Sequence, residues 1–482
     1  MNYRMIKHTL GYILLFEAAF MLVPLLTALV YRERNGLYFL LTMAMLAVAG
    51  GLLLFWRKPT QKTLYAKEGF VIVSLSWIFL SLFGCLPFYL SGEIPSFVDA
   101  LFETVSGFTT TGASILSDVE ALSHCMLIWR SFTHWVGGMG ILVFIMVFIP
   151  LSGGRNMHIM RAESTGPSVN KLVPRVRGTA FILYGIYIGC TLLQFLLIVF
   201  DPTVSAFDAL NIAFGTAGTG GFSVKNSGFQ DYSPYVQTLT AAFMLLFSVS
   251  FTSYYLIGKK RLREAVNSEV RLFFLIVLLA IVGITANLYA TGAEYATFGE
   301  TLRHVFFQVS SVISTTGFAT ADFALWPYFS GAVLVLLMFI GACAGSTGGG
   351  IKVSRLMIFF RSMRTEMSLM LHPKQIKKTT LDGRVVDSLV IRTVYAYMAA
   401  YIALFLSVML LLSLEGHDLV TNFTATVAMV NNIGPGLSQV GPMANFGFFS
   451  DFSKCVMSFA MLAGRLELFP VLLLFSPATW KK

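Results

Sequence analysis

Apolar residues gather along this chain in ten blocks of about twenty, set apart by short polar stretches. The blocks cover 9–30, 37–56, 69–90, 125–150, 178–200, 235–257, 271–290, 331–360 (interrupted), 390–413 and 452–475. A helix of that length fills roughly 30 Å of hydrocarbon, so each block predicts a membrane-spanning helix. Four further segments, 97–109, 206–218, 300–314 and 418–431, have helical character but are too short to span. Each predicts a half-membrane helix that enters from one side and returns through an extended stretch. The first block follows Arg4 and Lys7, is longer than the roughly 7–15 apolar residues of a signal core, and lacks an A-x-A-type cleavage site. It predicts a retained helix.

One motif closes all four short segments. Anchored on Gly112, Gly221, Gly317 and Gly434, it carries Thr110, Thr219, Thr315 or Asn432 two residues earlier. Thirteen residues before the glycines stand Asp99, Asp208, His304 and Thr421, and the register between holds without gaps. Glycine permits left-handed backbone angles, so neighbouring carbonyls can turn to one side. Each short helix points its negative C-terminal dipole end toward the following loop, which favours a cation. Non-helical backbone at membrane depth survives only where protein buries it or it lines a watery cavity, and four loops around one axis meet that condition together. The pattern predicts a pore in which carbonyl oxygens replace an ion's water shell. Its candidate ion-binding residues are Thr110, Thr111, Gly112, Thr219, Gly220, Gly221, Thr315, Thr316, Gly317, Asn432, Ile433 and Gly434. No carboxylate lies in these loops. A neutral cage suits a weakly hydrated monovalent ion, whereas Ca²⁺ and Mg²⁺ prefer carboxylates.

Composition agrees with the pattern. Of the 482 residues 56% are hydrophobic and 12% charged, against roughly 25% charged in an average soluble domain. With the N-terminus in the cytoplasm, the N-terminal stretch, 57–67, 155–177, 259–271, 352–392 and Lys481 with Lys482 hold 27 of the 34 Lys and Arg. That bias predicts ten crossings with both termini cytoplasmic. The net charge of +10 then reflects topology and contact with anionic lipid, and calls for no nucleic acid. A docking surface for a cytoplasmic partner is the second reading of the basic loops, with 352–392 the longest. The opposite side is acidic, with Glu93, Asp99, Glu103, Asp118, Glu120, Asp208, Glu415 and Asp418 among its residues. These carboxylates either steer cations to the mouth or are ordinary solvated loop charges. Five cysteines scattered singly form neither a disulfide framework nor a metal site.

The segments SGFTTTGAS (106–114), GTGGFS (218–223), SSVISTTGFAT (310–320) and NNIGPG (431–436) resemble the four filter segments of the Trk/Ktr/HKT potassium transporter superfamily. The chain is most similar to its TrkH branch. WVGGMGI (135–141), GACAGSTGGGIK (341–352) and LAGRLELFP (462–470) are also typical of the family, and two helices ahead of the first repeat fit TrkH better than KtrB. The resemblance implies potassium as the transported ion, held at the filter residues, with one pore per chain. It further implies a homodimer in the bacterial inner membrane, gated by a cytoplasmic nucleotide-binding ring subunit of the TrkA type, with no nucleotide bound by this chain. In the superfamily, serine at the first filter glycine goes with sodium preference, so Gly112 implies potassium. Only T-x-G recurs, and Ala113, Phe222, Phe318 and Pro435 follow the glycines. Fewer matched carbonyl rings imply a less sharp discrimination of K⁺ from Na⁺ than in a TVGYG channel.

Two features read as gate parts. The eighth block breaks at Gly345, Ser346, Thr347, Gly348, Gly349 and Gly350. Glycines in a row destabilise a helix by up to about 1 kcal/mol each, and such a break must face protein or water. The string resembles a phosphate-binding loop only superficially, because Ile351 separates Gly350 from Lys352 and no strand precedes it. A flexible constriction beneath the filter is the expected role. The other feature is Arg465, whose charge inside a span costs roughly 2.5–3.5 kcal/mol even on lenient scales and so must face the bundle interior or a cavity. It lies 31 residues after Gly434, as Gly348 lies 31 after Gly317, which predicts a common depth. Arg465 either caps loop carbonyls or stands as a barrier in the ion path. Glu467 should point to a different face, and Glu17 lies in a helix expected at the periphery.

The expected fold is an all-α polytopic membrane protein with ten transmembrane helices and four re-entrant half-helices. A two-helix segment (1–66) precedes four helix–pore-helix–helix repeats, 67–174, 175–264, 265–380 and 381–482, set pseudo-fourfold around one ion pore, the third repeat carrying the broken gating helix. The rival reading is a secondary transporter of an organic solute with a midplane pocket; a Na⁺-permeable ion transporter is a nearer one. Enzymatic activity is not expected, since the seven histidines form no H-x-x-x-H pair and no G-x-S-x-G occurs.

Overall fold

The computed structural model describes residues 1–55, 66–140, 176–292, 295 and 297–481. The end of the fourth apolar block, nearly all of the basic segment 155–177 and most of 57–67 lie outside them. The regular structure of the described chain is helical apart from one antiparallel hairpin, Thr380–Leu381 with Arg384–Val385, and an isolated bridge between Ile340 and Ile351. Among the described residues six helices are long and apolar enough to cross a membrane: Tyr3–Tyr31, Gly36–Phe55, Lys67–Ser91, Ala180–Val199, Ser268–Ala290 and Ser388–Glu415.

The remaining blocks are shorter or broken. His124–Gly138 is the described part of the fourth. The sixth divides into Pro234–Ser248 and Phe251–Gly258, bent by 91°. The eighth divides into Tyr328–Phe339 and Val353–Leu371, and the tenth into Asp451–Arg465 and Phe469–Leu474. Only the break in the eighth was legible from composition. At the sixth, the backbone groups freed by the bend are taken up elsewhere: Ser248 O accepts from Cys343 N–H and Phe251 N–H donates to Gly345 O, both at 3.0 Å. At the tenth, Glu467 and Leu468 adopt φ of 55° and 69°, which ends the helix.

The first helix packs on two neighbours. It packs on Gly36–Phe55 through facing glycines: a β-carbon added at Gly11 would lie 2.9 Å from Gly50 O, and the reverse holds at Gly50. Small residues permit this close backbone approach. The same helix also packs on Ala66–Gly84, and Glu17 is fully buried there. Gly84 leaves the space that the carboxylate occupies, since a β-carbon at Gly84 would meet Glu17 Oε1 at 3.3 Å and Phe108 at 2.8 Å.

The four short helices run Phe97–Phe108, Ala206–Gly218, Phe298–Ile313 and Leu419–Asn431. At about 1.5 Å per residue each is roughly 18–24 Å long, too short for a bilayer. Each begins at an N-cap whose side-chain oxygen accepts a backbone N–H three residues on: Ser96 from Asp99, Ser205 from Asp208, Thr297 from Glu300 and Asp418 from Thr421. The first three carry an acidic residue in the first turn, which suits the positive helix end.

Candidate ion pore

All four short helices stop by one device. Thr110, Thr219, Thr315 and Asn432 adopt left-handed φ of 56°, 56°, 60° and 55°. The next residue then bonds back five positions: Thr111 N–H to Ser106 O, Gly220 to Gly215, Thr316 to Ser311 and Ile433 to Ala428, at 2.8–2.9 Å. This is the Schellman pattern, which normally uses glycine or asparagine. Threonine in this conformation is a strained choice, and it recurs three times. The anchor glycines follow, Gly112, Gly221, Gly317 and Gly434, again left-handed with φ of 79°, 79°, 87° and 97°.

These glycines meet one another's loops in a closed cycle. A β-carbon at Gly112 would stand 1.9 Å from Gly220 O, one at Gly221 2.0 Å from Thr316 O, one at Gly317 2.1 Å from Ile433 O, and one at Gly434 2.7 Å from Thr111 O. Each glycine thus abuts the carbonyl that precedes the glycine of the next loop, and the fourth loop returns to the first. The twelve loop residues named from sequence come together in this one ring; nine are buried, and Gly112, Gly221 and Gly317 are partly exposed.

Side chains from behind brace the ring. The Arg130 guanidinium pairs with Glu103 at 2.8 Å, both buried, donates to Ser223 O at 3.2 Å, and lies 4.1 Å from the centre of the Phe222 ring. Glu103 also accepts from Ser114 Oγ and Ile115 N–H, both at 3.0 Å, so the pair joins the first loop to the second. His134, fully buried, has Nδ1 2.7 Å from Gly107 O and accepts Phe222 N–H at Nε2 (3.3 Å). Its imidazole fills the space beside Gly220, where a β-carbon would fall 2.1 Å from the ring. Asn432 Nδ2 donates to Thr111 Oγ1 at 3.0 Å and to Met461 O at 2.9 Å, linking the fourth loop to the first. Sequence reasoning singled out neither His134 nor the Arg130–Glu103 pair; the nearest signal was a charge and a histidine inside one apolar block.

On the side of the helix N-termini the ring opens into a cavity of about 150 Å³ that reaches Ser114, Lys225, Asn226 and Asn445. Among the described residues no carboxylate lines it, while Arg130 and Lys225 do. Three acidic residues of these segments are engaged in loop structure. Asp99 pairs with Lys454 at 2.5 Å, Asp118 accepts from Asn226 Nδ2 at 2.8 Å, and Glu120 accepts Asn226 N–H at 2.9 Å. The side-chain amide of Asn226 holds the Asp118 carboxyl below its ordinary range.

On the other side lies the non-helical stretch between Phe339 and Val353. Its neck is closed by Gly341 N–H to Ile351 O at 2.9 Å, and Glu269 accepts Ala344 N–H and Ser354 N–H at 2.7 and 3.1 Å. Its tip presses on the ring: Gly349 N–H donates to Thr315 Oγ1 at 2.6 Å, and a β-carbon at Gly348 would lie 2.9 Å from Ser314 O. Gly345 and Gly350 have left-handed φ of 75° and 67°. Arg465, at the end of its helix, donates to Thr347 O (2.7 Å), Gly137 O (2.7 Å) and Gly138 O (2.8 Å). The equal spacing noted in the sequence therefore corresponds to a contact. Glu467 pairs with Arg355.

Comparison with known proteins accords with this architecture. A family model described as TrkH, cation transport protein, matches residues 36–482. The chain is 36% identical over 490 residues to the Trk system potassium uptake protein TrkH of Salmonella typhimurium, covering all of both chains. It is 33% identical over 488 residues to the TrkH protein of Halomonas elongata, again along the full length of each. The crystal structure of the potassium transporter TrkH from Vibrio parahaemolyticus superposes with a TM-score of 0.89 at 31% identity, with complete coverage of both chains. Multi-pass and helical, the chain belongs to the TrkH family of cation transport proteins.

Proposed function

We propose that this chain carries potassium ions into the cell through the ring formed by Thr111, Gly220, Thr316, Ile433 and the glycines that follow them. The observation that carries this reading is the closed cycle of glycine-to-carbonyl approaches: at each anchor glycine a β-carbon would collide with the next loop's carbonyl, so the four loops converge backbone against backbone, an arrangement that suits carbonyl oxygens as ion ligands. Relatives along the full length are potassium uptake proteins.

In this reading the protein sits in the bacterial inner membrane with both termini cytoplasmic. It works as a homodimer, and a cytoplasmic nucleotide-binding subunit of the TrkA type acts on a gate formed by Gly345, Ser346, Thr347, Gly348, Gly349, Gly350 and Arg465. The pore repeats are 67–174, 175–264, 265–380 and 381–482. Purified protein in liposomes, assayed with K⁺, Na⁺ and an organic solute, tests the whole reading. Flux of K⁺ above Na⁺ and no solute uptake is expected; solute uptake without ion flux would overturn it.

A further inference from the structure

We propose that Lys352 is a positioning residue of the gate, a second tethered cation that occupies loop carbonyls beneath the ring and so opposes an entering ion. Lys352 is 1% exposed and ends the non-helical stretch, immediately ahead of the helix Val353–Leu371. Its Nζ turns back into the loop, donating to Gly348 O and, at 3.4 Å, to Gly349 O. Gly349 is the residue whose N–H reaches Thr315 Oγ1, so one peptide segment is held by the ring through its N–H and by the lysine through its carbonyls.

The placement is costly as a purely structural device. A buried ammonium gives up its hydration, and a cation at a helix N-terminus opposes the helix dipole. A serine or aspartate would cap that helix with the favourable sign. The neighbouring charges do not replace the carbonyls as its hydrogen-bond acceptors: Glu467 pairs with Arg355, and Glu269 accepts two backbone N–H groups. Together with Arg465 on Thr347 O, Lys352 places a fixed positive group on each of three successive carbonyls, Thr347, Gly348 and Gly349. Backbone carbonyls in a row are also the ligands a permeating K⁺ would use. The two side chains therefore stand in for the ion while the loop is closed.

The proposal rests on the conduction reading above, and the experiment separates the two. In proteoliposomes without any partner subunit, K352Q should raise K⁺ flux at limiting K⁺ by about tenfold, the scale of one charge about 12 Å from an ion at an effective dielectric near 20. It should also lower the K⁺ concentration for half-maximal flux. K352R should match the parent, and the K⁺ to Na⁺ ratio should be the same in all three. Equal flux in K352Q and parent, or equal rises in K352Q and K352R, overturns the assignment. If K352Q does not fold, K352H purified at about pH 5.5 should conduct more as pH rises through the imidazole range near 6.5, and no such rise overturns it equally. Absence of K⁺ flux in parent and variants alike would instead defeat the conduction reading.

Discussion

Gly349 donates its backbone N–H to Oγ1 of Thr315 across 2.6 Å, so the broken eighth helix and the third loop of the ring share a hydrogen bond. Thr315 is itself left-handed, and its side chain is thereby fixed from below. Thr315→Val should leave the Gly349 N–H buried without its acceptor, a cost of about 1–3 kcal/mol, and should loosen the loop. Faster K⁺ flux without a partner subunit is expected, with a lower thermal stability; Thr315→Ser should behave as the parent. A valine variant matching the parent in both measurements would show that loop and ring are uncoupled.

Alanine at the ring glycines should reduce K⁺ over Na⁺ discrimination, in an order set by space. Gly112, Gly221 and Gly317 leave 1.9–2.1 Å to the next carbonyl, Gly434 leaves 2.7 Å. Left-handed φ adds about 1–2 kcal/mol for any side chain. The first three should therefore lose more selectivity than Gly434→Ala, and Gly112→Ser should shift preference toward Na⁺. Gly185→Ala, with nothing within 4 Å of its β-carbon, is the control. Unchanged ion ratios in well-folded variants at all four positions would remove the ring from the ion path.

Arg465→Ala should raise flux in the absence of a partner by up to about a hundredfold. A fixed charge about 5 Å from K⁺ adds on the order of 3 kcal/mol at an effective dielectric near 20, and the substitution also releases three carbonyls from their donor. Arg465→Lys should keep most of the barrier. Should both variants conduct like the parent, Arg465 would be a structural cap and the gate would lie elsewhere.

Glu103→Gln should destabilise the fold by about 3–5 kcal/mol, because Arg130 would keep its charge in a buried site without compensation. Replacing both residues by methionine should cost less than the single change. Thermal denaturation in detergent, followed by size-exclusion chromatography, reads the difference; a double variant worse than the single one would contradict the pairing argument.

The short helices were legible to within two residues at either end, because their boundaries are written locally in a capping oxygen and a left-handed stop. The contact of Arg465 with the broken helix was legible too, through a spacing shared by two parts of the chain. Other features depend on distant partners. The bend at Val249–Ser250 is stabilised by Cys343 and Gly345, nearly a hundred positions away, and nothing in the local sequence marks it. The deep burial of Glu17 depends on the vacancy at Gly84 in another helix. Carboxylates counted on one side suggested an acidic mouth, whereas the fold uses Asp99, Asp118 and Glu120 to pin loops. A count of charges carries no information on which of them are already paired.

The cycle of glycines and carbonyls runs in one sense, first loop to second, second to third, third to fourth and fourth to first. All four quarters are encoded separately in a single chain, unlike a ring assembled from four identical subunits. A substitution therefore alters one quadrant while three keep their geometry, and Pro435 already makes the fourth quadrant differ, its ring standing 2.9 Å from where a β-carbon on Gly317 would lie. Under the conduction reading, ion preference in such a ring would change in quarter steps, each felt first by the one loop that leans on the altered carbonyl.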